Sequence, residues 1–230
     1  MSGPIIEFEN ITFAYPSSNF QLDVPSLAVE EGEKVAVVGS SGIGKTTLLH
    51  LAAGILLPQR GMIRIDGTPL CQQSDRARRE FRIRNIGMIF QEFELLEYLT
   101  VCDNILLPYC LNSSLVLDRR VRESAKLLAE SVGIAGAFRR RPGRLSQGER
   151  QRVAISRALI TQPRTILADE PTGNLDPQTS QTIVDLLLEQ ADVRRATVLM
   201  VTHDHTLLDR FDRVVDLGQL LVEDVGEELS

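Results

Sequence analysis

A glycine-rich stretch followed by a lysine is the first part of this sequence that could do chemistry. Residues 39–47 read GSSGIGKTT, after the apolar run VAVV and before the helical pattern KTTLLHLAAG. Backbone N–H groups of such a turn can surround a phosphate chain only where no Cβ blocks the approach. A helix that begins near Lys45 points its N-terminus at the same anion. The stretch therefore predicts a phosphate-binding loop between a strand and a helix.

The G-x-x-x-x-G-K-T spacing of this loop predicts individual roles. Lys45 is expected to reach the β- and γ-phosphates of a nucleotide, and Thr46 is expected to hold Mg²⁺ through its hydroxyl. A dinucleotide-binding loop is the weaker alternative, because Thr47 stands where that pattern requires its third Gly. A GTPase normally carries an Asn-Lys-x-Asp base-reading motif, and the sequence has no Asn-Lys pair. The predicted nucleotide-binding set is Gly39, Ser40, Ser41, Gly42, Ile43, Gly44, Lys45, Thr46 and Thr47.

Two adjacent carboxylates follow a second apolar run. Asp169 ends the segment TILAD and Glu170 comes next. A carboxylate at the end of a strand beside the phosphate-loop strand could bind Mg²⁺ through water. The next carboxylate could orient the attacking water and accept its proton. The alternative is that Asp-Glu-Pro only begins a surface turn, and both interpretations are open on these residues alone.

The segment LSQGE at residues 145–149 precedes another helical pattern. A hydroxyl, a glycine and a helix N-terminus together form a second anion-binding shape. The same residues also fit a capping box, in which Ser146 caps the helix and Glu149 returns the hydrogen bond. The two interpretations are compatible, because a helix start that offers free N–H groups is also a place for an anion.

Hydrophobic patterning indicates an α/β protein. The segments TILADEP and ATVLMVTHD are apolar with few polar breaks, which is typical of strands buried on both faces of a parallel sheet. Between them, DPQTSQTIVDLLLEQ predicts a crossover helix with Asp176 as its cap and Pro177 in its first turn. Residues 92–158 carry helical spacing and few strand signals, so we expect an inserted helical lobe. Ligands are then expected at the carboxyl ends of the strands.

Composition excludes several other classes of protein. The 230 residues carry a net charge of −6, which argues against a nucleic-acid partner. The three cysteines form no CxxC pair, so neither a zinc site nor a disulfide framework is expected. The first residues, MSGPIIEFEN, do not resemble a secretory signal, and no apolar stretch approaches the ~18 residues of a membrane helix. Any role at a membrane is expected to require a partner.

Taken together, these motifs resemble the ATP-binding cassette of ABC transporters over essentially the whole chain. GSSGIGKTT is similar to the Walker A motif, TILADEP to the Walker B motif, and LSQGE to the signature, which usually reads LSGGQ. The signature departs at Gln147 and Glu149 and keeps Leu145, Ser146 and Gly148. The resemblance implies a single domain over 1–230 with a P-loop NTPase (RecA-like) parallel core and an N-terminal antiparallel β subdomain. The core would comprise 1–91 and 159–230, and 92–158 would form the inserted α-helical subdomain.

The resemblance also implies roles for residues outside these three motifs. Gln91 matches the Q-loop glutamine, which contacts Mg²⁺ and the attacking water, so the implied metal set is Thr46, Gln91 and Asp169. Glu170 would be the catalytic carboxylate. GNLDP matches the D-loop, whose residues here are Asn174, Leu175 and Asp176.

Two further residues fall in the order that the family shows. His203 matches the switch histidine that contacts the γ-phosphate, and Tyr15 matches the aromatic that stacks on adenine. Taken singly, a Tyr after a strand is more often a half-buried packing residue, and a His at a strand end is more often a surface or capping residue. The implied catalytic set is Lys45, Gln91, Glu170 and His203, and the implied cofactors are ATP and Mg²⁺.

Cassettes of this family pair head-to-tail, and each ATP lies between the P-loop of one copy and the signature of the other. The implied partners are a second copy of the chain and integral membrane permease subunits. The implied location is the cytoplasm, peripheral on the membrane's cytoplasmic face through the membrane subunit. Phe93, Leu95 and Leu96 could line the groove for that subunit, or they could be core residues of the helical lobe.

The segments GNLDP and LTVCDNILLP most resemble the subgroup of lipoprotein release, macrolide-type export and the FtsE–FtsX pair. The leading hypothesis is an ATP-hydrolysing subunit that drives a separate membrane subunit. The second is a regulatory ATPase of the FtsE kind that transports nothing. The third is an ABC ATPase of DNA repair or translation, which a single acidic cassette without zinc or coiled-coil inserts disfavours.

Overall fold

A computed structural model describes residues 3–16 and 19–221, which contain two β-sheets. The first sheet is antiparallel and has the order β2-β1-β4-β5. Burial alternates along β1, as its partly alternating sequence predicts, because one face packs against the core. The strands are β1 (Ile6–Ala14), β2 (Gln21–Val29), β4 (Arg60–Ile65) and β5 (Thr68–Pro69).

The second sheet is parallel and has the order β6-β7-β8-β3-β9. One detail of the expected arrangement is wrong: the Asp169 strand does not adjoin the phosphate-loop strand, since β8 lies between them. Each of the three strands still ends at the same edge of the sheet. The strands are β3 (Lys34–Val38), β6 (Ile86–Ile89), β7 (Thr165–Asp169), β8 (Thr197–Val201) and β9 (Arg213–Asp216).

The parallel sheet separates two apolar cores, which explains its nearly unbroken hydrophobic runs. On β7, Ile166 and Ala168 belong to one core, and Leu167 between them belongs to the other. The first core continues into the helices that follow β6, and the second continues into the antiparallel sheet. Strands buried on both faces need apolar residues at every position, so their sequences lose the alternation seen in β1.

Four helices accompany the two sheets. The crossover helix between β7 and β8 begins as predicted: Asp176 accepts a hydrogen bond from the Thr179 N–H at 3.0 Å, and Pro177 is the first helical residue. The hydrogen bond to Thr179 lowers the pKa of Asp176. The helices are α1 (Lys45–Ala52), α2 (Asp75–Asn85), α6 (Pro177–Arg194) and α7 (Leu217–Leu220).

Between β6 and β7 the described chain contains three α-helices and no strand, with two short 3₁₀ turns between the second and third helices. Buried residues from all three helices share the core that covers one face of the parallel sheet. LSQGE lies at the start of the third helix, so this helical region presents it. The helices are α3 (Val101–Leu111), α4 (Arg119–Ser131) and α5 (Gln147–Leu159).

Candidate functional site

The phosphate loop joins β3 to α1 and adopts a backbone that requires glycine. Gly39, Gly42 and Gly44 all have positive φ, at 154°, 80° and 114°. At Gly44 a Cβ would also come within 2.8 Å of the Phe20 ring. No side chain of the described residues caps α1 and its first turn contains no acidic residue, so N–H groups at its start are left for an anion.

Lys45 folds back over the loop that precedes it. Its Nζ donates to the carbonyl oxygens of Gly39 at 2.9 Å and Ser40 at 3.2 Å, and it lies 4.0 Å from Glu170 Oε1. The side chain is buried, although it carries a charge. A buried ammonium needs hydrogen-bond acceptors, and the loop supplies two of them. The same Nζ is therefore placed over the concave side of the loop, where a phosphate would replace or share these contacts.

Thr46, in the first turn of α1, meets Asp169 at the end of β7, although β3 and β7 are not neighbouring strands. Thr46 Oγ1 donates to Asp169 Oδ1 at 3.1 Å. Burial raises the pKa of Asp169, and the hydrogen bond from Thr46 opposes that shift. Hydroxyl and carboxylate oxygens are the ligands that Mg²⁺ prefers, so the donor set of this pair fits that ion.

Asp169→Asn is expected to stabilise the nucleotide-free protein at neutral pH, because an amide of the same shape has no charge to desolvate. Since the folded pKa lies above the unfolded one, the penalty is present above the folded pKa and disappears as pH falls below the unfolded value. Urea midpoints should therefore be higher for the variant near pH 7, and the difference should shrink towards about pH 4. Glu189→Gln, on the exposed side of α6, is the control. A variant less stable than the parent near pH 7 contradicts this account.

Glu170 lies in a turn that places its carboxylate between Lys45 and His203. Its φ is +43°, a conformation that non-glycine residues rarely adopt, and its N–H donates to the Val201 carbonyl at 3.0 Å. One carboxylate oxygen lies 2.8 Å from His203 Nδ1 and the other 4.0 Å from Lys45 Nζ. The structure therefore gathers Lys45, Glu170 and His203 at the carboxyl ends of the strands.

Gln91 lies in the turn after β6 and contacts the GNLDP segment. The Asn174 side chain donates to the Gln91 carbonyl at 3.0 Å, and a Cβ at Gly173 would come within 2.9 Å of the Gln91 amide nitrogen. Within the described residues, no hydrogen bond joins Gln91 to Thr46 or Asp169. Leu175 packs against the core beside the helices. The turn that carries Gln91 is thus tied to the segment that follows Glu170.

Tyr15 lies beside the phosphate loop and is partly exposed. Its hydroxyl is 3.2 Å from Thr47 Oγ1, and its ring packs edge-on against Phe13 at a centroid distance of 4.8 Å. Phe20, whose centroid is 5.7 Å from that of Tyr15, was not predicted as a site residue. A cavity of about 380 Å³ is lined by Tyr15, Phe20, Ser41, Gly42, Gly44, Lys45, Thr46, Thr47 and Glu170. Aromatic rings at one side and the loop at the other suit a base and its phosphates.

The LSQGE segment forms the capping box that its sequence predicts. Ser146 Oγ accepts from the Glu149 N–H at 3.2 Å, and Glu149 Oε2 accepts from the Ser146 N–H at 2.8 Å. The departure at Glu149 therefore has a structural role, since its carboxylate satisfies an N–H and lies at the positive end of α5. Ser146 and Gln147 are exposed, and Leu145 is buried beneath them. The Ser146 hydroxyl keeps its own proton to donate.

Comparison with known proteins decides the family. The sequence profile described as ABC transporter matches residues 22–173. The chain belongs to the ABC transporter family. It is 42% identical over 229 residues to an uncharacterized ABC transporter ATP-binding protein of Mycobacterium tuberculosis, covering 98% of this chain and 92% of the relative. It is 38% identical over 222 residues to the lipoprotein-releasing system ATP-binding protein LolD of Xylella fastidiosa, covering 95% and 92%.

Solved structures of ABC cassettes have the same fold. The dimeric cassette MJ0796, in a post-hydrolysis state bound to ADP and Pi, is 30% identical with a TM-score of 0.81, and the match covers 93% of this chain and 95% of that one. CbiO1 from Clostridium perfringens, part of the transporter complex cbiONQ, is 27% identical with a TM-score of 0.82, covering 94% and 86%. The expected P-loop NTPase fold, the ATPase class and the likeness to the lipoprotein-release subgroup are confirmed.

As an ABC cassette, this chain brings most of its predicted site residues together. Two groups stay outside the cavity: residues 145–149, and Gln91 with the D-loop residues 174–176. The loop, Tyr15 and Glu170 surround the 380 Å³ cavity, and Asp169 and His203 are hydrogen-bonded to its lining. No residue of 145–149 lines that cavity. The family profile ends at residue 173 and begins at residue 22, so it includes neither Tyr15 nor His203. The structure places Tyr15 beside Thr47 of the loop and His203 beside Glu170.

Proposed function

We propose that two copies of this ATP-hydrolysing subunit enclose two ATP molecules, each between the loop of one copy and Ser146 and Gly148 of the other. The observation that carries the proposal is the incomplete cavity. Its lining has the phosphate loop and Glu170, with Asp169 and His203 hydrogen-bonded to that lining. The exposed helix start of LSQGE lies outside it in the region 92–158. A symmetric pair of copies would complete two equal sites. The dimeric form of the similar cassette MJ0796 supports this arrangement.

We assign the reaction steps to this chain's own side chains. Lys45 binds the terminal phosphates, and Glu170 accepts a proton from the attacking water while His203, 2.8 Å away, orients that carboxylate. Gln91 positions the water from the turn after β6. Thr46 and Asp169, with Gln91, would hold Mg²⁺, which neutralises phosphate charge when bound. Tyr15 and Phe20 stack against adenine at the far side of the cavity.

We propose an integral membrane permease as the second partner, with this chain peripheral on the cytoplasmic face of the membrane. No helix within residues 3–16 and 19–221 has the length and apolar character needed to cross a bilayer. A groove of about 300 Å³ beside α3 and α5 offers a place for a permease segment, and its apolar wall includes Phe90, Leu107, Pro108 and Leu111. Leu111 is 71% exposed, which favours a partner there. The names of the LolD relatives support lipoprotein release or a similar export as the process served.

The residues that the sequence suggested for this groove do not line it. Phe93 is buried, and Leu95 packs against the core shared by the three helices. Phe93 adopts a φ of +59° and is buried. The apolar character of Phe93 and Leu95 therefore reflects core packing, the second of the two interpretations. Leu96 is partly buried and does not line the groove either.

Mixing two inactive variants tests the shared site. Ser146→Arg and Lys45→Ala homodimers are both expected to lack ATPase activity, because every site contains one damaged half. A heterodimer contains one site with an intact loop from the first variant and an intact signature from the second. An equimolar mixture should therefore recover roughly a quarter of the parental activity if sites act independently.

The matched control mixes Lys45→Ala with Thr46→Ala. Both changes lie in the loop, so no heterodimer gains an intact site and no activity should return. Crosslinking of differently tagged chains measures pairing in each mixture. Paired Ser146→Arg and Lys45→Ala chains that remain inactive would contradict the proposed sharing of sites.

A further inference from the structure

The turn that carries Gln91 contains two consecutive non-glycine residues with left-handed backbone. Phe93 and Glu94 have φ values of +59° and +48°. Such a pair is unfavourable in an isolated chain and persists only where surrounding contacts hold it. The pair follows Gln91 by two and three residues, so it sets the direction that the chain takes after Gln91.

Arg157, near the end of α5, supplies the contacts that hold this turn. Its two terminal nitrogens donate to the carbonyl oxygens of Glu94 and of Phe93, the latter at 2.6 Å. Burial lowers the pKa of the Arg157 guanidinium. A planar guanidinium presents two N–H groups in a fixed fork and can hold two adjacent carbonyls at once, which an ammonium cannot do.

The opposite side of the same turn is held by the segment after Glu170. The Asn174 side chain donates to the Gln91 carbonyl at 3.0 Å, and Gly173 fits closely against the Gln91 amide. The turn is therefore held by contacts from two segments, the D-loop and α5. Ser146 is the N-cap of α5, the helix that provides Arg157, so these hydrogen bonds also join the Gln91 turn to the LSQGE helix.

We propose that Arg157 is a positioning residue for ATP hydrolysis, which acts by holding the Phe93–Glu94 turn and thereby the pose of Gln91. The inference rests on the proposed role of Gln91. It predicts an effect on the chemical step and none on ATP binding, because Arg157 does not line the 380 Å³ cavity. It also predicts that the Gln91 turn and α5 move as one body.

Arg157→Lys keeps the charge and removes the fork. We expect kcat to fall about 10- to 100-fold, since small misplacements of a positioning group have effects of this size, while the calorimetric Kd for ATP stays within about 2-fold. Arg157→Met is the second variant, because an unbranched apolar chain fills similar space without burying a charge. Urea midpoints show whether each variant is folded. Arg194→Lys is the matched control. Arg194 is also partly buried, and its guanidinium donates to the backbone carbonyl of Gln190 at 2.9 Å. It does not line the 380 Å³ cavity.

A double-mutant cycle with Gln91→Ala separates positioning from a general structural role. If Arg157 acts through Gln91, Arg157→Lys and Arg157→Met lower kcat in the parent and change it less than about 2-fold in the Gln91→Ala background. Equal fold losses in both backgrounds would overturn the inference, as would an unchanged kcat for both Arg157 variants or for Gln91→Ala alone. The mixing experiment above retains Arg157 and Gln91 in every chain. If activity returns there but the double-mutant cycle gives equal losses, this inference is wrong and the proposed shared site is unaffected.

Discussion

Glu170→Gln is expected to lower kcat by a factor on the order of 10² to 10⁴ and to leave ATP binding intact. The amide keeps the size of the carboxylate and still accepts a hydrogen bond, but it cannot take a proton from water at neutral pH. The structure gives this residue the contacts of a general base, with His203 at 2.8 Å and Lys45 at 4.0 Å on its two oxygens. Of the predicted site carboxylates, Glu170 alone lines the cavity.

The same variant should accumulate as an ATP-bound dimer. In the proposed dimer, ATP would hold the two copies together because both halves of the site neutralise its charge, and without hydrolysis the two copies would not separate. Light scattering with ATP and Mg²⁺ should give twice the mass measured without nucleotide. Glu189→Gln makes the same chemical change on the exposed side of α6 and should behave as the parent. A Glu170→Gln protein that stays monomeric and turns over normally would remove Glu170 from the proposed role.

The phosphate loop could be predicted from sequence alone because its function depends on the backbone. Positive φ values at Gly39, Gly42 and Gly44 require glycine, and the spacing of those glycines is visible in the chain. The capping box was equally accessible, since Ser146 and Glu149 are three residues apart and their contacts are local. Features that depend on contacts between residues close together in the chain can therefore be predicted from the sequence.

Features that depend on distant contacts could not be predicted in the same way. The position of β8 between β3 and β7 is a matter of strand pairing across many residues, and apolar runs carry no information about strand order. Phe20 reaches the cavity because β2 begins beside the loop, and a lone aromatic after a turn gives no signal of that. The pairing of Arg157 with the Gln91 turn joins residues 63 and 64 positions apart.

The groove shows the same limit for apolar residues. Hydrophobicity indicates that Phe93 and Leu95 are removed from water, but it does not say whether a partner or the core of the same chain covers them. Here the core covers them. Leu111, at the end of α3, remains exposed, and only the folded arrangement distinguishes it from the others.

Lys45→Ala is expected to weaken ATP binding at least about 100-fold, which corresponds to roughly 2.7 kcal/mol. Two losses combine. The phosphates lose a cation held close to them in a buried position, where charge-assisted contacts are strong. The loop also loses the bonds from Nζ to the Gly39 and Ser40 carbonyls, at 2.9 and 3.2 Å, so it must be reorganised when the nucleotide binds.

Calorimetric titration with ATP and Mg²⁺ measures the affinity, and Lys126→Ala is the control because Lys126 is exposed on α4 outside the cavity. Unchanged affinity in Lys45→Ala would contradict the assignment of the loop. Lys45→Arg separates the two losses, since it keeps a cation but is too long to fold back on the loop in the same way. If organisation of the loop dominates, Lys45→Arg should bind ATP nearly as weakly as Lys45→Ala; if charge dominates, it should recover most of the affinity. Because Nζ donates to two carbonyl oxygens of the loop, we expect the first result.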